Sequence, residues 1–188
     1  MDASQELFVQ INELHKTYLQ LNYDFWIGYS LFTWRWWLLV LIIIVPWYFW
    51  WRLVDKKRLL EISFYGVITL VAVVASDAAG VAHGYWIYPI RLFPFTPHLL
   101  PADTTVLPIT FMLVYQCFTK WKAFLAASTV MAACLAFIGE PVAVWLGVYK
   151  LLTWKYYYSF PLYILYAAVL KFVVQRVIAI QEIENIRL

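Results

Sequence analysis

Apolar positions first recur at helical spacing near the start of the chain. Leu7, Ile11, Leu14, Tyr18, Leu21 and Phe25 follow one another at steps of four, three, four, three and four, which gathers them on one face of an amphipathic helix within residues 1–30. The opposite face carries Glu6, Glu13 and Lys16 with several Gln and Asn, and lacks the basic excess that holds a helix on an anionic leaflet. Two readings stay open. The helix lies on the membrane or against the rest of the chain, or it is a short coiled-coil arm, because the seam also follows a heptad and could pair with a second copy or a membrane-protein partner.

From residue 34 onward this periodicity gives way to long apolar runs, over residues 34–51, 59–82, 99–118, 121–140 and 156–174. Each is close to the roughly 20 residues that a helix needs to cross the hydrocarbon of a bilayer. The pattern predicts an all-α fold: a helix bundle of five spans over residues 31–180, with the amphipathic helix before it and a tail over residues 181–188. Aromatic residues flank the first run, WRWWLLVLIIIVPWYFWW, as interfacial belts do. Pro46 predicts a bend near its end, Pro101 suits the first turn of the third span, and Glu140 with Pro141 interrupts the fourth.

Composition narrows the class. With 64% hydrophobic and 13% charged residues among 188, the chain carries more apolar surface than one soluble core hides, which predicts a multi-pass membrane protein. A formal charge of +3 gives no reason to expect nucleic acid. Placement of the charges predicts orientation. Arg52, Lys56, Lys57, Arg58, Lys120, Lys122, Lys171, Arg176 and Arg187 fall on one side of the five-span arrangement, nine basic residues against five on the other, Lys16, Arg35, Arg91, Lys150 and Lys155. The positive-inside rule then puts the N-terminus outside and the C-terminus in the cytoplasm. The opening MDASQELFVQ has no basic stretch followed by an apolar core, so no cleavable signal peptide is expected. Cys117 and Cys134 sit in apolar runs without metal-ligand spacing, and are expected to be buried small hydrophobes with no disulfide between them.

Charged groups inside such runs need a reason, since a charge at the bilayer centre costs several kcal/mol. Asp77 lies near the outer end of the second span, Asp103 in the first turn of the third, and Glu140 where the fourth is interrupted. Three carboxylates from three helices at similar depth predict an outer-leaflet site, and they are the candidates for any catalytic role. Asp103 also fits a plain role at a helix start, where a carboxylate complements the dipole. Gly66, Leu70, Val73, Gly80 and Gly84 share a face with Asp77, a surface suited to close approach by another helix. The joining segment supplies Trp86 and Tyr88, which would line a ligand pocket, and three donors on the same side, His83, Arg91 and His98. Arg91 could bridge two carboxylates or hold a lipid phosphate. No tight ligand spacing marks a metal site, no P-loop, nucleophile or zinc motif is visible, and no cofactor is implied. Transport fits less well, because no internal repeat supplies an inverted pair of spans.

The blocks VPWYFWWRLVDKKRLLEI, SDAAGVAHGYWIYP, LLPADTTVLPITFMLVYQ, FIGEPVAVWLGVY and WKYYYSFPLYIL resemble those of an uncharacterised family of small multi-pass membrane proteins of endospore-forming Firmicutes. The resemblance covers about residues 36–174. It implies five spans and a bacterial plasma membrane, and attaches no activity. Asp77, Gly80, Gly84, Trp86 and Tyr88, followed by Pro101 and Asp103, are more weakly similar to the membrane-embedded lycopene cyclase domain. That family has a paired acidic motif after its proline, whereas here Ala102 precedes a single Asp103.

Three functions are therefore carried forward. The first is a membrane protein that binds a lipid or isoprenoid through Asp77, His83, Trp86, Tyr88, Arg91, His98, Asp103 and Glu140. The second is an enzyme doing acid chemistry on an apolar isoprenoid in the same pocket. The third is a structural subunit whose carboxylates lock helices together while residues 1–30 recruit a partner.

Overall fold

A computed structural model describes residues 2–96 and 99–187 of the chain, and it is almost wholly helical. The helices are α1 (Ala3–Phe25), α2 (Trp34–Leu53), α3 (Leu59–Ala82), α4 (Leu107–Cys117), α5 (Trp121–Cys134), α6 (Glu140–Trp145) and α7 (Tyr156–Arg187). Two short strands, β1 (Trp86–Ile87) and β2 (Lys150–Leu151), pair antiparallel and tie the loop after α3 to the loop after α6. Four helical segments are long and apolar enough to cross a membrane: Trp34–Leu53, Lys56–Ala82, Trp121–Trp145 and Tyr156–Gln181. The helix over residues 100–117 stands outside this set. Asp103, Thr104, Thr105, Gln116 and two prolines dilute its apolar character.

Packing explains why that helix tolerates them. It lies between α2, α3 and α5, and Leu107, Pro108, Ile109, Phe111, Met112 and Tyr115 of α4 are all buried. A helix sheltered by its neighbours presents little surface to lipid, so polar atoms on it can be met by protein. The main core joins Ile62, Tyr65, Phe111, Met112, Phe124 and Val174, and the Gly66 backbone lets the Met112 side chain lie directly against α3. The outer helices show the reverse. Of α2 only Leu39 and Trp50 are buried, and Leu41, Ile44, Val45, Phe49 and Trp51 face outward, an apolar exterior that suits lipid and not water.

The end of the bundle with the basic cluster is held by a compact polar group. The Arg58 guanidinium donates to both Glu61 oxygens, from Nε at 3.0 Å and from Nη2 at 2.8 Å. Tyr115 donates its hydroxyl to Glu61 Oε1 at 2.6 Å. Lys171 of α7 is buried, donating from Nζ to the Phe118 and Thr119 carbonyls at 3.0 and 2.9 Å, where α4 has ended and its last carbonyls need donors.

Two expectations are corrected. Cys117 and Cys134 are free thiols but exposed, because both point away from the bundle axis rather than into it. The fourth span carries small residues on the face of Glu140, Ala126, Thr129, Ala132, Ala133 and Ala136, a pattern that predicts close packing along its length. Ala132 and Ala136 are buried, but Ala126 and Thr129 face outward, the other buried side chains of α5 being Phe124, Ser128 and Met131. The last helix runs unbroken from Tyr156 to Arg187, so it continues beyond the apolar run that ends near residue 174. The seam of α1 is wholly exposed, and the helix meets the rest of the chain at its C-terminal end. There the Asn22 amide donates to the Pro94 carbonyl at 2.5 Å, and Trp26 Nε1 donates to the Arg91 carbonyl at 3.1 Å.

Candidate functional site

Asp77 is buried one turn before Gly80 on α3. A Cβ at Gly80 would collide with the Trp86 ring, so glycine here is what lets that indole lie on the helix. The chain returns to this position through Gly84, whose φ of 68° is costly for any residue with a side chain. Trp86 Nε1 then donates to Asp77 Oδ1 at 2.8 Å, and the Tyr88 hydroxyl donates to the same oxygen. The Tyr149 ring stacks on Tyr88 with centroids 5.4 Å apart, and Trp154 packs edge-on against Trp86 at 5.2 Å. These four aromatic rings form a layer between the paired loops and the bundle. Burial first, and the Asp77 carboxyl second, hold the Tyr88 hydroxyl well above the usual phenol range, so it remains a donor at any physiological pH.

Asp103 and Glu140 are positioned by the same local device. Ala102–Val106 and Leu135–Gly139 are each one π-helical turn, and each is followed by a proline, Pro108 or Pro141. A proline inside a helix has no N–H to give, and its ring crowds the carbonyl four residues back. Widening the preceding turn relieves that clash. Such turns recur at functional sites because they re-aim side chains. Here they turn Asp103 and Glu140 toward α3 and α7.

Between these elements lies a cavity of about 290 Å3. Asp77, Asp103 and Glu140 all line it, with Trp86, Tyr88, Tyr149, Ser159 and Tyr163, and the remaining wall is mostly Leu, Val, Ala and Pro. Asp103 is 3% exposed and within hydrogen-bonding reach of Asp77. Two carboxyls this close repel unless a proton or a cation lies between them. Tyr163 donates to Glu140 Oε1 at 2.9 Å. Asp103 Oδ2 and Glu140 Oε2 are buried without a hydrogen-bond partner among the described residues.

The other expected residues lie elsewhere. His83 is exposed, with Nδ1 2.7 Å from the Ala79 carbonyl and its ring stacked on Tyr85. Arg91 does not bridge the carboxylates. Its guanidinium donates to Asn22 Oδ1 and to the Thr96 carbonyl, because the loop turns it toward the end of α1 and away from the bundle. His98 lies outside the described residues. Sequence reasoning passed over Ser159, Tyr163 and Tyr166 of α7, which also line the cavity. Their signal was present: polar-tipped residues at i, i+4 and i+7 mark one inward face of an apolar helix. Among the described residues, no three His, Cys, Asp or Glu side chains gather to hold a metal ion.

The class this fold and site define is a helical, multi-pass membrane protein with a carboxyl-lined internal cavity. In comparisons with known proteins, the chain matches no family model, no curated protein and no solved structure.

Proposed function

We propose that the protein binds one apolar amphiphile, a lipid or an isoprenoid, in the cavity among α2, α3, α6 and α7. The observation that carries this reading is the cavity itself: an apolar wall that ends in carboxyls, two of whose oxygens have no hydrogen-bond partner among the described residues. Ligand pockets combine an apolar lining with a few placed polar groups in this way. The sheltered helix over residues 100–117 serves as a fifth span. The nine-to-five distribution of basic residues supports an orientation with the C-terminus in the cytoplasm of a bacterial cell and the acidic end in the outer leaflet. The test is mass spectrometry of small molecules extracted from the purified protein, comparing the parent with Asp77→Asn and Glu140→Gln variants that keep their fold. A discrete lipid or polyprenyl species present in the parent and depleted in both variants is expected. Bulk phospholipid alone, unchanged in the variants, rejects the reading.

A second reading, acid chemistry on an isoprenoid, draws on the contact between Asp77 and Asp103 beneath an aromatic layer. A carboxyl pair can hold a transferable proton, and aromatic faces stabilise a carbocation. Incubation with polyenes separates the two, since an enzyme returns an isomerised product and a binder returns its ligand unchanged.

A further inference from the structure

The cavity restricts the kind of head group that can enter it. Of its described lining residues, three bear carboxyls and none is Lys, Arg or His. Most donors are already engaged. Trp86, Tyr88 and Tyr163 donate to the carboxyls themselves, Trp154 Nε1 donates to Ser159 at 2.9 Å, and the Ser76 hydroxyl donates to the Ala72 carbonyl at 2.7 Å. The Tyr166 hydroxyl meets Ser76, which leaves two hydroxyls, those of Tyr149 and of Ser159, the latter within reach of Glu140. These neutral donors are all that stands beside two acceptors with no hydrogen-bond partner among the described residues, Asp103 Oδ2 and Glu140 Oε2.

An anion in this place finds no countercharge among the described lining residues, and any carboxyl there that is ionised repels it. A donor finds two oxygens that burial has deprived of water, and satisfying such atoms is worth more than an ordinary surface hydrogen bond. We infer that the ligand's polar end is a hydroxyl or an ammonium group, and that phosphate and carboxylate heads are excluded. This deepens the binding reading and rests on it. The volume of about 290 Å3 is at the small end of ligand pockets, which run from about 300 to 1,000 Å3, so it takes the head and the first part of a tail. Gly139 and Val142 are the exposed members of the lining, and the rest of the tail leaves between them.

The experiment uses the full chain in detergent and two ligand series, each with one tail and four heads. Farnesol, farnesylamine, farnesyl phosphate and farnesoic acid form the first, and hexadecanol, hexadecylamine, hexadecyl phosphate and palmitate the second. Native mass spectrometry reads bound fractions for the parent and for an Asp103→Asn/Glu140→Gln double variant. The alcohol or amine is expected to bind more tightly than its phosphate and carboxylate partners by more than about tenfold, since like charges juxtaposed across a site are strongly disfavoured. That preference is expected to shrink in the double variant. An anionic head that binds as tightly as the alcohol overturns the inference and leaves the binding reading standing. A preference that persists undiminished in the variant also overturns it, by placing the discrimination elsewhere. If no member of either series binds, the binding reading falls and the inference falls with it.

Discussion

Gly80 carries more of the site than any charged residue, because it decides whether Trp86 can reach Asp77. Gly80→Ala puts a methyl group into the indole ring, and overpacking of this kind costs about 1–3 kcal/mol. The expected result is a lower unfolding temperature in detergent together with loss of ligand. Gly28→Ala is the control, since no heavy atom lies within 4 Å of the added carbon; an equal drop there would remove the special role given to Gly80. The sequence showed Gly66 and Gly80 on one face and predicted the approach of another helix. Gly66 does meet α4 through Met112, but Gly80 meets the chain's own returning loop. Nothing in the local pattern distinguishes those outcomes, because the return depends on where β1 finds β2, more than sixty residues later.

Prolines and one buried lysine set the element scale. Pro141 was legible as an interruption, while the π-helical turns before it and before Pro108 were not, since a proline can equally kink a helix or end it. Which of these happens depends on the packing on either side. Lys171 was read from sequence as one more cytoplasmic charge. In the fold it is 1% exposed, with its ammonium 4.0 Å from the Phe124 ring centre and its protons on the last carbonyls before α5. Lys171→Met keeps the volume and removes both bonds. Hydrogen bonds to charged groups contribute about 1.5–3 kcal/mol each, so the variant is expected to lose several °C of thermal stability while its ligand selectivity is unchanged. A variant as stable as the parent would show that those carbonyls are satisfied by water. On α1, the exposed seam predicts that removing residues 1–25 leaves the bundle folded and its ligand bound; loss of a copurifying membrane protein on that deletion would identify the arm as a partner site.

At the scale of the whole molecule, composition and run length led to the helical class and to five spans, of which four are helices long and apolar enough to cross a membrane, and they separated an acidic end from a basic one. They fared worse with the helix over residues 100–117, whose polarity makes sense only once its neighbours surround it. They missed the cavity's α7 wall because Ser159, Tyr163 and Tyr166 look unremarkable in an aromatic-rich chain. Orientation is open to direct measurement. With the native thiols replaced, Lys150→Cys is expected to react with an impermeant reagent on intact cells, and Lys57→Cys only after the membrane is opened. Reaction of both from the same side would overturn the proposed topology.

The aromatic layer of Trp86, Tyr88, Tyr149 and Trp154 lies between the cavity and the paired loops, while Gly139 and Val142 are open at the flank of the bundle. A ligand arriving by that route dissolves in the bilayer before it meets the protein. Occupancy then follows the mole fraction of ligand in the membrane and not its aqueous concentration. Diluting a fixed amount of ligand with added lipid empties the site, even when the volume of water is unchanged.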